Sequence, residues 1–308
     1  MESKFKNQFP FYEVWYGKFN LDHERAFWFR YTLMNGKTKE SALWAVYFGP
    51  DQIIAQKKTY PLEKISLISD IQLPSGILSN DRMEGALPRL QWKLTYENLN
   101  GSFEHVPPLL KYFHLTKSLV RTPVVTALFS GSLFIDGKEQ AVCRSPGMIG
   151  HIWGKQQALE WTWAHCNRFE GDEGAVFEGL SARIPFFKKA SPPLTSLYLK
   201  YNQKECFFNG LWDLFKTSSS FGYCFWNFKA QNRDIALEGH ITAVPEKNAV
   251  LTYTDTDDSS LYCHNSKLAS IVLLIEDRGT GEKRRLYSKS SAALEWVTRG
   301  RYQGKKYL

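Results

Sequence analysis

Short, strand-like runs broken by turn residues roughly every ten positions are the feature that most constrains the fold of this chain. Such spacing is typical of an antiparallel sandwich or barrel. Ala26–Leu33 and Ala42–Phe48 are joined through Asn35-Gly36, a pair that favours a tight hairpin turn. Ser130–Ile135 and Glu139–Cys143 form a second predicted hairpin. The sequence therefore predicts an all-β chain.

Chain length and aromatic content refine this prediction. A chain of 308 residues is long for one hydrophobic core, so two domains are expected. The 10 Trp, 15 Tyr and 21 Phe favour pleated surfaces and wide apolar interiors. The segment Lys188–Pro193 is the best linker, which predicts an N-terminal barrel at 1–188 and a C-terminal barrel at 189–308.

Three segments depart from this strand pattern. Leu73–Leu87, rich in Gly, Asn and Asp, is predicted to be a loop. Leu109–Val120 is interpreted as either a short helix or a barrel-closing segment. Ser291–Thr298 is predicted to be a C-terminal helix.

Charge, cysteine content and hydropathy narrow the functional classes. The net charge of +8 comes from scattered residues without a dense patch or motif, so no nucleic-acid partner is expected, and weak contact with an acidic membrane surface stays open. The five cysteines show no CxxC spacing, which favours a reducing compartment and no metal site. No stretch reaches the roughly 20 apolar residues of a membrane span. These observations predict a cytoplasmic protein.

The most informative stretch lies between residues 151 and 167. Strand periodicity places His151, Trp153 and Lys155 on one face of one strand. In the next strand it places the following side chains on one face: Leu159, Trp161, Trp163, His165 and Asn167. Glu160 and Cys166 fall on the opposite face, so Cys166 and His165 do not form a nucleophile–base pair. An apolar wall ending in two polar groups, if it lies inside a barrel, suits a ligand pocket, although a Trp-x-Trp stripe is also a common core feature.

At these residues the sequence resembles a known family. The run Gly150-His151-Ile152-Trp153-Gly154-Lys155, continued by Trp161-x-Trp163-Ala-His-Cys166-Asn167, is similar to the central signature of the carotenoid 1,2-hydratase and tocopherol cyclase superfamily. Weaker matches lie at the following segments: Tyr12–Tyr16, Phe27–Leu33, Trp92–Tyr96, Gly131–Gly137, Trp226–Ala230, Tyr253–Asp255 and Tyr262–Ser266.

The resemblance implies two consecutive lipocalin-like antiparallel β-barrels, greasy ligands such as polyprenoids, and no metal or nucleotide cofactor. In the carotenoid hydratases an aspartate typically precedes the motif histidine, whereas this chain has Gly150. Tocopherol cyclases commonly carry glutamine where this chain has His165. Both departures weaken the expectation of hydratase chemistry, since fold alone does not determine function.

Alkene protonation needs a shielded acid, and the sequence does not say which carboxylate would supply it. Five acids are available, each expected on the solvated surface: Glu13, Glu84, Glu178, Asp213 and Glu238. Catalytic candidates are His151 and His165. Candidate ligand-binding residues are Trp153, Lys155, Trp161, Trp163, Asn167, Arg30 and Tyr31; Arg30 is interpreted as capping a ligand's carboxylate or phenol, or as stacking on Trp28.

Three hypotheses follow. The first is a protein that binds a hydrophobic isoprenoid, lipid or polyene in a lipocalin-like pocket. The second is a cofactor-independent cyclase, isomerase or hydratase acting on such a molecule. The third is a structural module whose barrels are plugged by their own side chains. The interface between the two domains is a further place for a site, with Trp212, Trp226 and Tyr253 as candidate members.

Overall fold

The computed structural model describes residues 2–113, 116–186, 189–302 and 307–308. Nearly all of the regular structure in these ranges is β-strand. The two short α-helices are α1, Pro108–Tyr112, and α2, Asp213–Lys216. In the part of the chain that the structure describes, no helix is long and apolar enough to cross a membrane.

The first antiparallel sheet contains the strands of residues 11–154. They are β1 (Phe11–Asn20), β2 (Ala26–Asn35), β3 (Lys39–Phe48), β4 (Ile53–Pro61), β5 (Ile71–Leu73), β6 (Gly76–Leu78), β7 (Arg82–Ala86), β8 (Leu90–Asn100), β9 (Phe103–Glu104), β10 (Ser118–Ile135) and β11 (Lys138–Gly154). Their order across the sheet is β4-β3-β2-β1-β11-β10-β8-β7-β6-β5, with β9 paired to β10.

The second antiparallel sheet contains strands of residues 160–298. They are β12 (Glu160–Cys166), β13 (Val176–Arg183), β16 (Leu194–Tyr201), β17 (Lys204–Phe208), β18 (Ser218–Gly222), β19 (Phe225–Gln231), β20 (Ile235–Thr242), β21 (Ala249–Thr254), β22 (Ser260–Asp277) and β23 (Lys283–Thr298). A separate small hairpin joins β14 (Pro185–Phe186) to β15 (Lys189–Ala190). The order is β17-β16-β13-β12-β23-β22-β20-β19-β18, with β21 paired to β22.

Each sheet curls around its own core, which confirms the predicted fold of two consecutive lipocalin-like antiparallel barrels. We call them barrel 1 and barrel 2. Within the described residues the chain passes from one sheet to the other between Gly154 and Glu160, so β12 and β13 pair with the strands of barrel 2. The division predicted at 188/189 stays a prediction, and residue 188 lies outside the described residues.

Both predicted hairpins are present. β2 and β3 pair in register around the turn that follows Asn35. β10 and β11 meet at a turn in which Asp136 and Gly137 both have positive φ, 51° and 78°. That geometry matches the right-handed twist of a hairpin and explains the Asp-Gly sequence.

Two sequence-based predictions of secondary structure are wrong. Leu73–Leu87 contains β6 and β7, short strands whose turn residues concealed them. Ser291–Thr298 is the end of β23 and not a helix. In this strand Leu294 faces the core of barrel 2 while Ala293 and Val297 face barrel 1. Apolar residues on both faces remove the alternation by which an amphipathic strand is recognised.

Burial on both faces is the organising feature of the central strands. The inner face of β2, carrying Phe27, Phe29 and Tyr31, lies in the core of barrel 1. Its outer face, carrying Trp28, packs against residues of barrel 2 such as Tyr253. All ten residues of β1 are buried for the same reason. The two barrels therefore share an apolar interface, and strands at that interface have no solvent-facing side.

Candidate functional site between the barrels

The predicted wall of β12 lies between the two barrels. Trp163 belongs to the apolar cluster that joins them, while Ala164 and Cys166 face the core of barrel 2. The predicted alternation is therefore correct, but the interior of barrel 2 receives the small side chains. The wall packs against barrel 1 instead of lining a barrel interior.

Two polar side chains of this wall cross to barrel 1. The Nε2 of His165 donates to the carbonyl oxygen of Val125 at 2.9 Å. The Nδ2 of Asn167 donates to the carbonyl oxygen of Gly147 at 2.8 Å. Both donors thus fix β12 against backbone of β10 and β11.

A buried carboxylate lies directly opposite His165. Glu178 on β13 is its cross-strand partner and has no solvent exposure. Its Oε1 accepts hydrogen bonds from Thr122 Oγ1 at 2.7 Å, Trp163 Nε1 at 2.8 Å and His105 Nε2 at 3.1 Å. Thr122 and His105 precede Gly154 in the chain, so this carboxylate also ties the two halves together.

Three atoms on this face have no hydrogen-bond partner among the described residues. They are Glu178 Oε2, His165 Nδ1 and Asn167 Oδ1. Because Nε2 of His165 and Nδ2 of Asn167 are the donors in the bonds to backbone, His165 Nδ1 and Asn167 Oδ1 are acceptors, and Glu178 Oε2 is a third acceptor when its carboxyl group is ionised. A buried polar atom without a partner costs about 1–3 kcal/mol, so a hydrogen-bond donor that reached this face would be stabilised there.

Buried lysines border the same face. The Nζ of Lys18 on β1 donates to Asn20 Oδ1 at 2.8 Å, and burial lowers the pKa of Lys18 to about 8. The Nζ of Lys267 pairs with Glu295 Oε1 at 2.7 Å and lies 5.2 Å from the Trp163 ring. Burial, reinforced by the charge of Lys18, holds the pKa of His165 well below its usual range, so this imidazole is neutral at pH 7.

Tyr16 of barrel 1 covers the face of β12 that carries Trp163. Its ring meets Trp163 edge-on with ring centroids 5.4 Å apart. The same ring lies over Gly150, where a Cβ atom would come within 2.2 Å of Tyr16 Cζ. Position 150 therefore admits glycine only while Tyr16 keeps this place. Burial and the nearby charge of Glu178 raise the pKa of Tyr16 well above the usual value.

Two other predicted ligand-binding residues, Trp161 and Arg30, lie elsewhere along the interface, whereas Trp226 and Trp212 do not lie there. Trp161 packs at the edge of the apolar cluster that contains Tyr253. The guanidinium of Arg30 stacks over the Tyr253 ring at 3.8 Å, so Tyr253 is its ring partner at the interface. Trp226 is buried in the core of barrel 2, and Trp212 is exposed.

The remaining predicted residues belong to barrel 1. His151 stacks on Trp15 at 5.3 Å and contacts Trp153 at 4.6 Å, and its Nε2 bonds Glu13 Oε1 at 2.7 Å. Tyr31 donates to the carbonyl oxygens of two residues, at 3.0 and 2.9 Å, deep in the core. Lys155 is exposed. The structure thus separates His151 and Trp153 from the wall of β12.

Sequence reasoning missed the burial of two carboxylates. Glu13 and Glu178 were expected at the surface, and both are fully buried. It also missed Lys18 and Lys267. One signal was present: the aromatic run of β1, FYEVWYGKFN, carries Glu13 and Lys18 on opposite faces, which indicates a strand buried on both sides. Within the described residues no group of three or more His, Cys, Asp or Glu side chains is arranged to hold a metal ion.

Comparison with known proteins supports the fold. No family model matches the chain. Two uncharacterized proteins of Mycobacterium tuberculosis, one from strain CDC 1551 / Oshkosh and one from strain ATCC 25618 / H37Rv, are each 22% identical over 245 residues, which are 77% of this chain and 74% of each relative.

Among solved structures, an AttH-like protein from Nitrosomonas europaea superposes with a TM-score of 0.62 at 11% identity, covering 98% of both chains. A DUF3598-family protein of unknown function from Nostoc punctiforme is 9% identical, covering 97% of this chain and 100% of that one, with a TM-score of 0.17. The first similarity shows a shared lipocalin-like fold, and the second is too low to carry an argument.

Proposed function

We propose that this protein binds a hydrophobic small molecule of the isoprenoid, lipid or polyene class between its two barrels. The observation that carries the proposal is the set of three unpaired acceptor atoms on one buried face, from His165, Asn167 and Glu178. Ligand sites occur preferentially at domain interfaces and combine apolar walls with a few convergent polar groups. The ligand would therefore carry a hydrogen-bond donor, such as a hydroxyl group, on an apolar body.

The apolar part of the site favours an adaptable ligand surface. Met34 and Met148 of barrel 1 pack in the same cluster as Trp163. Methionine side chains are flexible and polarizable, and they accommodate ligands of irregular shape. The barrel interiors, by contrast, are filled by large side chains such as Trp15 and Trp226. This packing keeps the plugged-barrel hypothesis in force for the middle of each barrel.

A ligand extraction experiment tests the proposal. Protein purified from cells is extracted into organic solvent and analysed by mass spectrometry, together with Trp163→Ala and His165→Ala. His240→Ala is the matched control, because His240 is an exposed histidine on barrel 2. We expect an apolar ligand that is retained by wild type and His240→Ala and lost from the two interface variants. Absence of a ligand, with no change in tryptophan fluorescence on adding polyprenoids, would refute the proposal.

Catalysis at the same site is the second candidate, as a cofactor-independent cyclase, isomerase or hydratase. It is favoured by the fully buried carboxyl group of Glu178, the cross-strand neighbour of His165, whose Oε2 is unpaired. In this candidate Glu178 carries the proton and is a donor, so that His165 Nδ1 and Asn167 Oδ1 alone accept from the ligand. A shielded carboxyl group is the type of acid that alkene protonation needs. The resemblance to the carotenoid hydratase and tocopherol cyclase superfamily supports this candidate. Turnover that Glu178→Gln abolishes while the ligand stays bound is the result that establishes it.

Contact with a membrane surface would be made through an aromatic patch beside this site. The patch consists of Leu109, Tyr112, Phe113, Phe207, Trp212 and Phe215, each exposed by 44% or more. Glu104 connects its two parts, since its carboxylate pairs with Lys111 of α1 and its carbonyl accepts from Asn209. Exposed aromatic side chains flanked by lysines favour the interface of an acidic lipid layer.

The patch leads towards the interfacial site. Phe207 contacts Phe103 with ring centroids 6.2 Å apart, and Phe103 contacts His105 at 4.6 Å. His105 in turn bonds Glu178. An apolar ligand leaving a lipid layer at the patch would thus meet the carboxylate through a short series of aromatic side chains.

A further inference from the structure

The end of barrel 1 contains a second buried carboxylate with an unusual set of partners. Glu13 lies on the inner face of β1 and has no solvent exposure. Its Oε1 accepts from His151 Nε2 at 2.7 Å and from the backbone N–H of Lys4 at 2.7 Å. Its Oε2 accepts from Ser3 Oγ at 2.6 Å. Two of these three donors come from a segment outside the barrel.

That segment, residues Ser3–Phe5, covers the barrel end. The ring of Phe5 stacks on Phe11 with centroids 5.7 Å apart and packs against the core of barrel 1. The N–H of Phe5 donates to Ser3 Oγ at 3.1 Å. The segment therefore presents donors to the carboxylate and an aromatic ring to the core, which is what a small amphipathic ligand would present.

A cavity adjoins this contact. It is half open to solvent, measures about 380 Å³ and has a mainly polar lining, formed by Glu2, Ser3 and Phe5, by residues 67–71 and by Asn80. Typical small-molecule pockets begin at about 300 Å³. The cavity lies between the segment Ser3–Phe5 and the loop before β5, so displacement of Phe5 would join it to the barrel core.

We propose that the end of barrel 1 is a second ligand site, occupied by the chain's own segment Ser3–Phe5 until an apolar molecule with an N–H or O–H donor displaces it. The carboxylate of Glu13 selects the ligand by charge and hydrogen bonding. An ionised carboxylate only accepts hydrogen bonds, and it repels an anionic head group. The ligand class is thus an apolar amine or alcohol and excludes the corresponding acid. His151, bonded to Glu13 and stacked on Trp15, holds the carboxylate in place.

The site is independent of the one proposed between the barrels. Glu13 and His151 face the inside of barrel 1, whereas Trp163 and His165 lie on the outer face of barrel 2. Failure of either proposal therefore leaves the other intact.

The probe for the test is N-phenyl-1-naphthylamine, a neutral apolar amine that fluoresces on entering an apolar environment. The full chain is compared with the double variant Ser3→Ala, Phe5→Ala, which removes the hydroxyl donor and the ring of the covering segment. We expect affinity for the probe to rise about tenfold, the change that loss of one competing hydrogen bond and ring contact predicts. Lys4→Ala is the matched control, because its side chain pairs only with Glu2 among the contacts described and its backbone N–H remains. This control is expected to match wild type.

Two further arms identify the site. Adding Glu13→Gln to the double variant should return the affinity to the wild-type value or below, while adding Trp163→Ala should leave it unchanged. 1-Naphthol should compete with the probe, and 1-naphthoic acid should not. Equal affinity of wild type and the double variant overturns the proposal, as does probe binding that is lost with Trp163→Ala. If the Glu13→Gln chain does not fold, as judged by circular dichroism, the comparison of double variant and control decides alone.

Discussion

Replacing Lys18 by methionine should stabilise the protein at neutral pH. The Lys18 side chain is fully buried, and its Nζ donates to Asn20 Oδ1 and, at 3.4 Å, to the carbonyl oxygen of Ser291. Burial lowers the pKa of Lys18 from 10.5 to about 8, which corresponds to a cost of about 3 kcal/mol for keeping the ammonium group charged. Methionine has a similar shape and removes this cost, but it leaves Asn20 Oδ1 without its donor, a loss of about 1 kcal/mol. The expected net gain at pH 7 is about 2 kcal/mol.

The pH dependence of this gain has a definite sign. Between pH 8 and 10.5 the unfolded chain still binds a proton at Lys18, whereas the folded chain has released it, so the wild-type protein becomes more stable as pH rises. Below pH 8 both states are protonated and the full cost applies. The advantage of Lys18→Met should therefore be largest at pH 7 and should disappear near pH 10, where the wild-type side chain is neutral.

Urea unfolding of both chains at pH 7 and pH 10 measures this difference, and the titration of other groups cancels between them. Lys267→Met is the matched control: Lys267 is as deeply buried but pairs with Glu295 at 2.7 Å. Its removal leaves Glu295 uncompensated and should destabilise the protein by about 3–5 kcal/mol. A Lys18→Met chain that is less stable than wild type at pH 7, or a difference that is the same at both pH values, would refute the reasoning.

Three more predictions concern the interface between the barrels and the exposed aromatic patch. Gly150→Ala should lower the free energy of unfolding by at least about 1–3 kcal/mol, because the added Cβ would overlap the Tyr16 ring. In a double-mutant cycle measured by urea unfolding, a Tyr16→Ala background should recover much of this loss. A Gly150→Ala chain as stable as wild type would contradict the packing. Glu178→Gln should keep the extracted ligand but lose any turnover of a bound polyene, so turnover that survives assigns the acid elsewhere. The double variant Trp212→Ser, Phe215→Ser should sediment less with vesicles that contain phosphatidylserine. Its melting temperature should stay unchanged, since both side chains are exposed by at least 60%. Unchanged sedimentation would argue against membrane contact through the aromatic patch.

The alternation of β12 could be predicted from the sequence, but its location could not. A period of two places Trp163, His165 and Asn167 on one face whatever that face meets. Whether the face meets a barrel interior or a second barrel depends on strands far away in the chain, such as β1, whose Tyr16 covers Trp163. The same dependence on distant strands explains the wrong prediction of a helix at Ser291–Thr298, because burial on both faces hides the strand pattern.

The two buried carboxylates show more clearly what the sequence alone cannot predict. A carboxylate is normally solvated, and only specific partners make its burial tolerable. The partner of Glu13, His151, is 138 positions away, and Thr122 and His105 reach Glu178 from 56 and 73 positions away. No local pattern encodes such pairs. The resemblance drew attention to His151 and His165, and the structure shows that each has a buried carboxylate beside it.

The packing of Tyr16 bears on the departure from the hydratase pattern at position 150. Tyr16 lies over Gly150 and meets Trp163 edge-on, so an aspartate cannot occupy position 150 while Tyr16 keeps this packing. At the position where the resemblance would place the acid of the hydratases, this chain has an aromatic contact between its barrels. A buried carboxyl group is nevertheless present on the adjoining face, in Glu178 on β13. Under the proposal that the interface protonates a bound polyene, Glu178 is the candidate acid, and neutral His165 and Asn167 would orient the ligand's donor group.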